Sequence, residues 1–90
     1  MDVAVLQMDE LKRFLMINLK IVNLFLWKIG MGDNGSIILG EALAENRSLK
    51  RVEVRNNALT VTGYLALSHA LRVNEVIFKM LIDVPENADP

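Results

Sequence analysis

A chain of 90 residues holds one small domain with little apolar surface to bury, and a complete two-half dinucleotide fold does not fit in it. Its 10 Lys and Arg against 11 Asp and Glu, spread along the chain, make neither the basic footprint of a nucleic-acid binder nor an acidic tail. The absence of Cys excludes disulfides, zinc thiolate clusters and a cysteine nucleophile, and fits a reducing compartment.

The first twenty residues carry acids and lack a small-residue cleavage site, so no signal peptide is expected. Leu11 and Leu15 set the phase of a leading helix near 3–17. The apolar run from Phe14 to Trp27 is interrupted by Asn18, Lys20 and Asn23 and is shorter than the roughly 20 residues a membrane helix needs. No membrane partner is expected, and the cytoplasm is the expected location, with the nucleus compatible. There the sequons at Asn34 and Asn46 have no meaning.

A strand-like run, Ile21 to Trp27, then leads into K-I-G-M-G-D-N-G-S, where Gly30, Gly32 and Gly35 spell G-x-G-x-x-G. A helix-like run, Ser36 to Glu45, follows, and Glu53 lies 18 residues past Gly35. That is the outline of a dinucleotide-binding turn, and it defines one alternative, a nucleotide-binding enzyme.

Internal similarity argues against it. A shift of 28 residues lays Gly35 on Gly63, Leu39 on Leu67, Ala42 on Ala70, Leu43 on Leu71 and Asn46 on Asn74, with Asn18 one period earlier. Apolar pairs fill in the rest: Ile21 with Leu49, Leu24 with Val52, Leu26 with Val54, Met31 with Leu59, Ile37 with Leu65. Asn at 18, 46 and 74 suggests three helix stops in the left-handed conformation that Asn tolerates. Under the same shift Gly30 and Gly32 fall on Ala58 and Thr60, so only Gly35 recurs. Asp33 would repel a pyrophosphate in that loop, and Glu53 falls mid-strand. Gly35 is therefore read as a packing glycine at a helix start, with Asp33 or Asn34 capping one helix and Thr62 the next.

Leu49, Val52, Val54, Asn57 and Leu59 spell L-x-x-V-x-V-x-x-N-x-L, a short strand and a turn, and Leu65, Leu67, Ala70 and Leu71 are read as one face of a helix. This is the leucine-rich-repeat pattern. A single strand-turn-helix unit cannot bury its own apolar face, so units stack, with parallel inner strands and outer helices. The Asn of the motif satisfies backbone groups of neighbouring turns. The expected fold is α/β, one leucine-rich-repeat domain over 1–90: a leading helix, repeats at about 21–48 and 49–76, a trailing strand near 77–83 and a disordered tail at 84–90. Ile29 stands where the second copy has Asn57, so the first turn is atypical, and Gly30 and Gly32 are read as relaxing it.

Catalytic groups are sparse. His69, the sole histidine, lies on the polar side of the second helix, and the adjacent Ser68 diverges from it. Asp9, Glu10, Glu41 and Glu45 belong to solvated helix exteriors. No catalytic site, metal or cofactor is expected.

The inner sheet is the expected site. Variable positions of adjacent strands lie about 4.8 Å apart, which predicts three ladders: Asn23, Arg51 and Lys79; Phe25, Glu53 and Leu81; Trp27, Arg55 and Asp83. Arg55 is expected over the Trp27 ring and paired with Asp83. A protein partner docking on Phe25, Trp27, Arg51, Glu53, Arg55 and Lys79 is the functional reading, since Trp and Arg concentrate binding energy. The alternative is that a neighbouring segment or a terminal cap covers the aromatics. Neither end carries an obvious polar cap, so self-association through the ends is also expected.

The 28-residue period with G-x-x-x-L-x-x-A-L in the helix (Gly63, Leu67, Ala70, Leu71) resembles the ribonuclease-inhibitor type of leucine-rich repeat. The run Gly63 to Asn74, with its A-L-S-x-A-L-R-V-N core, followed by a strand and Asp83-Val84-Pro85-Glu86, resembles the last full repeat of the leucine-rich-repeat regulatory subunits of protein phosphatase 1. The resemblance implies a non-enzymatic module that inhibits or targets the phosphatase catalytic subunit. The family's docking element, a basic residue then Val-x-Phe in a flexible tail, is absent; Val76-Ile77-Phe78 comes nearest, after Glu75 and in an expected strand. Similar repeats in Ran GTPase-activating proteins, tropomodulins and innate immune receptors supply the alternative scaffolds.

Overall fold

The computed structural model describes residues 4–85. Helices and strands alternate: α1 (Ala4–Ile17), β1 (Asn23–Phe25), α2 (Gly32–Glu45), β2 (Arg51–Glu53), α3 (Val61–Val73) and β3 (Lys79–Leu81). The strands form one parallel sheet in the order β1-β2-β3, and the helices pack in sequence, α1 on α2 and α2 on α3. The fold is mixed α/β. No helix among the described residues is long and apolar enough to cross a membrane.

Strand neighbours lie 28 residues apart: Asn23 opposite Arg51 opposite Lys79, Leu24 opposite Val52 opposite Met80, Phe25 opposite Glu53 opposite Leu81. The pairing extends past the short strands, since Leu26 N–H donates to the Glu53 carbonyl (2.8 Å), Lys28 N–H to that of Arg55 (3.1 Å) and Val54 N–H to that of Leu81 (2.8 Å). The strands are nevertheless shorter than expected. β3 covers three residues of the expected 77–83, and Val76, Ile77 and Phe78 precede it. Of the tail, Val84 and Pro85 have no regular structure, and residues 86–90 lie outside the described residues.

The core fills the space between sheet and helices. Leu24, Leu49, Val52, Val54 and Ile77 meet Met8, Leu15, Met31, Leu39, Ala42, Leu43, Leu67 and Ala70 there. Ile37 and Leu65 are corrections to the expected apolar pairing, being 41% and 54% exposed. Two helical steps from Leu65 to Leu67 turn about 200°, so the two cannot share a face.

The three Asn residues do end helices, but not in the left-handed conformation. Asn46 (φ −65°, ψ 140°) and Asn74 (φ −90°, ψ 119°) are extended. Their side chains make the stop. Asn46 Oδ1 accepts the N–H groups of Ser48 and Leu49, both at 2.8 Å, and its Nδ2 donates back to the carbonyls of Leu15 (2.7 Å) and Asn18 (3.2 Å). Asn74 repeats the pattern on Val76, Ile77, Leu43 and Asn46. Each amide thus satisfies the open carbonyls of the preceding helix C-terminus while shaping the turn into the next strand.

The glycines are structural. A Cβ on Gly35 would sit 2.6 Å from Met31 Cγ and 3.3 Å from Met8 Cγ, and one on Gly63 would collide with the Asp33 carboxylate. The capping expectation is corrected. α2 has no side-chain cap, and the N-cap of α3 is Thr60, not Thr62. Asp33 serves the other helix: its Oδ1 accepts N–H from Thr60 (2.8 Å) and Gly63 (3.0 Å), and its Oδ2 accepts the Thr60 hydroxyl. A carboxylate in the first turn of α2 thus closes the N-terminus of α3, where the helix dipole favours negative charge. These bonds, the Thr60 hydroxyl first, hold the Asp33 carboxyl below the ordinary aspartate range.

Candidate protein-interaction site

In a pleated strand alternate side chains face opposite ways, so the burial of Leu24 and Val52 turns Asn23, Phe25, Arg51 and Lys79 to the outer face of the sheet. Phe25 is 70% exposed there, which for a side chain of that size is an unsatisfied apolar surface. Beside it lies a depression of about 290 Å³ lined by Phe25, Arg51, Val52, Glu53, Lys79 and Leu81. Four of the six expected binding residues line this one feature.

Glu53 is in the expected row but is not free. It is buried, and Arg55, two residues on along the same strand edge, clasps it through Nε (3.0 Å to both oxygens), a terminal nitrogen (2.6 Å to Oε1) and its backbone N–H (3.0 Å to Oε2). The clasp, led by the side-chain hydrogen bond, holds the Glu53 carboxyl below its ordinary value and raises that of Arg55. This overturns the expected placement of Arg55 over Trp27 and against Asp83. The nearer carboxylate wins because side chains two apart on a strand face the same way. Asp83 instead accepts the Asn56 N–H at 2.8 Å.

Trp27 lies beyond β1, outside the depression, and is 54% exposed. The cation over its ring is Lys28 Nζ, 5.9 Å from the centroid. A second such pair involves a residue the sequence reading missed: Arg51 stands 5.4 Å from the centroid of Phe78, itself 64% exposed. The 28-residue period contained the signal, because Phe78 shares its position with Lys50 and Val22, both exposed, and not with the buried Leu24 and Val52.

No protein-family model matches the chain, and no curated protein does. The site therefore rests on its own geometry. On the opposite side, a broad groove of about 470 Å³ runs between the helices over Gly40, Ala44 and Ala66. Its rim holds His69, Glu45 and the Lys12–Glu41 ion pair at 3.1 Å. The small residues that open it were legible only as helix positions, since which helix they would face depends on the packing. Among the described residues no group of His, Asp and Glu is arranged to hold a metal ion.

Proposed function

We propose that the chain is a short stack of ribonuclease-inhibitor-type leucine-rich repeats and works as a non-enzymatic protein-interaction module. The partner docks on the open face of the sheet through Phe25, Trp27, Arg51, Glu53, Arg55 and Lys79. One observation carries the reading: the exposed Phe25 lines a depression of about 290 Å³ on a three-stranded parallel sheet together with Arg51 and Lys79, two cations in register on neighbouring strands, and the exposed Trp27 lies just beyond it. Aromatic and Arg side chains at the centre of a surface are where binding energy concentrates. Glu53 and Arg55 act as a neutral pair that keeps an acid from repelling the partner. The 28-residue register of the sheet and the bridging role of Asn57 support the repeat assignment.

The resemblance of Gly63 to Asn74 to phosphatase regulatory subunits makes the catalytic subunit of protein phosphatase 1 the first partner to test, in the cytoplasm or nucleus. Immobilised wild-type chain should retain purified catalytic subunit, and Phe25→Ala/Trp27→Ala should retain about tenfold less, while Leu65→Ala on the helix face behaves as wild type. Equal retention by all three overturns the docking face, and no retention by wild type overturns the phosphatase as partner.

A further inference from the structure

The open face of the sheet is organised in two rows of different chemistry. One row is Asn23, Arg51 and Lys79, an amide and two cations at the same register on neighbouring strands. The next is Phe25, Glu53 and Leu81. In that row Glu53 is already clasped by Arg55, so what it offers a ligand is Phe25 and Leu81. Neither Arg51 nor Lys79 forms an ion pair among the described residues. The Arg51 guanidinium carbon stands 5.4 Å from the centroid of the Phe78 ring, a cation–π contact that does not use up its N–H donors.

Rows two residues apart along a strand are separated by about 7 Å, and an extended peptide repeats its same-face side chains at that distance. We infer that this face recognises an extended acidic peptide segment of the form acid-x-apolar. The carboxylate is held between Arg51 and Lys79, with Asn23 donating from β1, and the apolar side chain two residues away enters the depression between Phe25 and Leu81. The inference rests on the docking-face reading and adds the partner's chemistry and spacing. The charge complementarity is local: two free cations and a neutralised acid make the depression positive although the whole chain carries a formal net charge of −1.

The test uses fluorescence anisotropy of the full chain with three labelled nine-residue peptides of fixed length. In one, glutamate and leucine stand two apart; in a second, the same residues are adjacent, so that they face opposite ways; in a third, lysine replaces glutamate. The first should bind best, weaken as salt rises, and lose about tenfold or more on Arg51→Glu/Lys79→Glu, which should in turn gain affinity for the lysine peptide. Both residues are exposed, and Arg51→Gln/Lys79→Gln provides a milder variant whose fold is checked by circular dichroism. Equal binding of the first two peptides, or indifference to both double variants, overturns the inference. If peptides fail while partner capture remains sensitive to Phe25→Ala/Trp27→Ala, the acid-x-apolar motif falls and the docking face stands.

Discussion

The turns that follow β1 and β2 share two left-handed positions filled by different residues and differ at a third, where Gly32 (φ 64°) is left-handed and Thr60 (φ −93°) is extended. Lys28 (φ 52°) and Asn56 (φ 61°) are both left-handed, and two residues later so are Gly30 (φ 75°) and Ala58 (φ 55°). Only the second turn has the motif Asn. Yet Asn57 serves both: Oδ1 accepts the N–H groups of Ile29 (2.9 Å) and Met31 (3.2 Å) in the first turn, while Nδ2 donates to the carbonyls of Leu26 (2.7 Å) and Val54 (3.0 Å), one on each side. The comparison shows that a turn's conformation is held by its neighbour's side chain as much as by its own. The expectation that glycine relaxes a turn missing its Asn is thereby corrected for Gly30 alone, since Gly32 is left-handed where its counterpart Thr60 is extended. Gly30 occupies a position that is left-handed in both turns, and Ala58 adopts it at a steric cost of about 1 kcal/mol or more.

The largest test of this comparison is Asn57→Ala. It strands buried donors and acceptors in both turns, so urea unfolding should show a loss of about 3 kcal/mol or more, and amide exchange should quicken in the turn at Ile29 to Met31 as well as around Arg55. A loss under about 1 kcal/mol, or exchange confined to the second turn, would separate the two turns.

Next in size is Asp33→Asn, which removes the carboxylate that joins the start of α2 to the start of α3. The expected cost at neutral pH is about 1 kcal/mol. Because the folded-state pKa lies below the unfolded value of about 3.9, the carboxylate's contribution is complete above that value and is lost as pH falls through the folded pKa. Wild type and variant should therefore converge in stability below about pH 4, as read by urea titrations at several pH values. Curves that stay parallel would assign the cap to another group.

Smallest, and of opposite signs, are Ala58→Gly and Gly30→Ala. Relief of the left-handed alanine should raise stability, and the reverse change should lower it, each by somewhat under about 1 kcal/mol. Thermal melts giving the same sign for both would break the equivalence of the two turns.

The candidate site was legible to the extent that a period of two fixes which side chains share a face. Phe25, Arg51 and Lys79 could be assigned to one surface from the 28-residue shift alone, and the sheet register agrees with that shift. What Arg55 would choose was not legible. Trp27, Asp83 and Glu53 were all within its reach in principle, and a flexible guanidinium takes the partner that gives several charge-assisted bonds at once. The same limit hid Asp33, whose spacing to α2 suggested a local cap while its oxygens reach the next helix.

By itself, the order of residues determined the alternation of strand and helix, the period of 28, most of the core positions and the packing glycine Gly35 with its copy Gly63. These follow from periodicity and from local steric rules, which act between residues near in sequence. The tertiary structure alone decided which polar groups meet: Asn57 across two turns, Asp33 between two helices, Glu53 with Arg55, Arg51 over Phe78. Hydrogen bonds and ion pairs depend on distances of a few tenths of an ångström, and those distances exist only once the neighbouring units are packed.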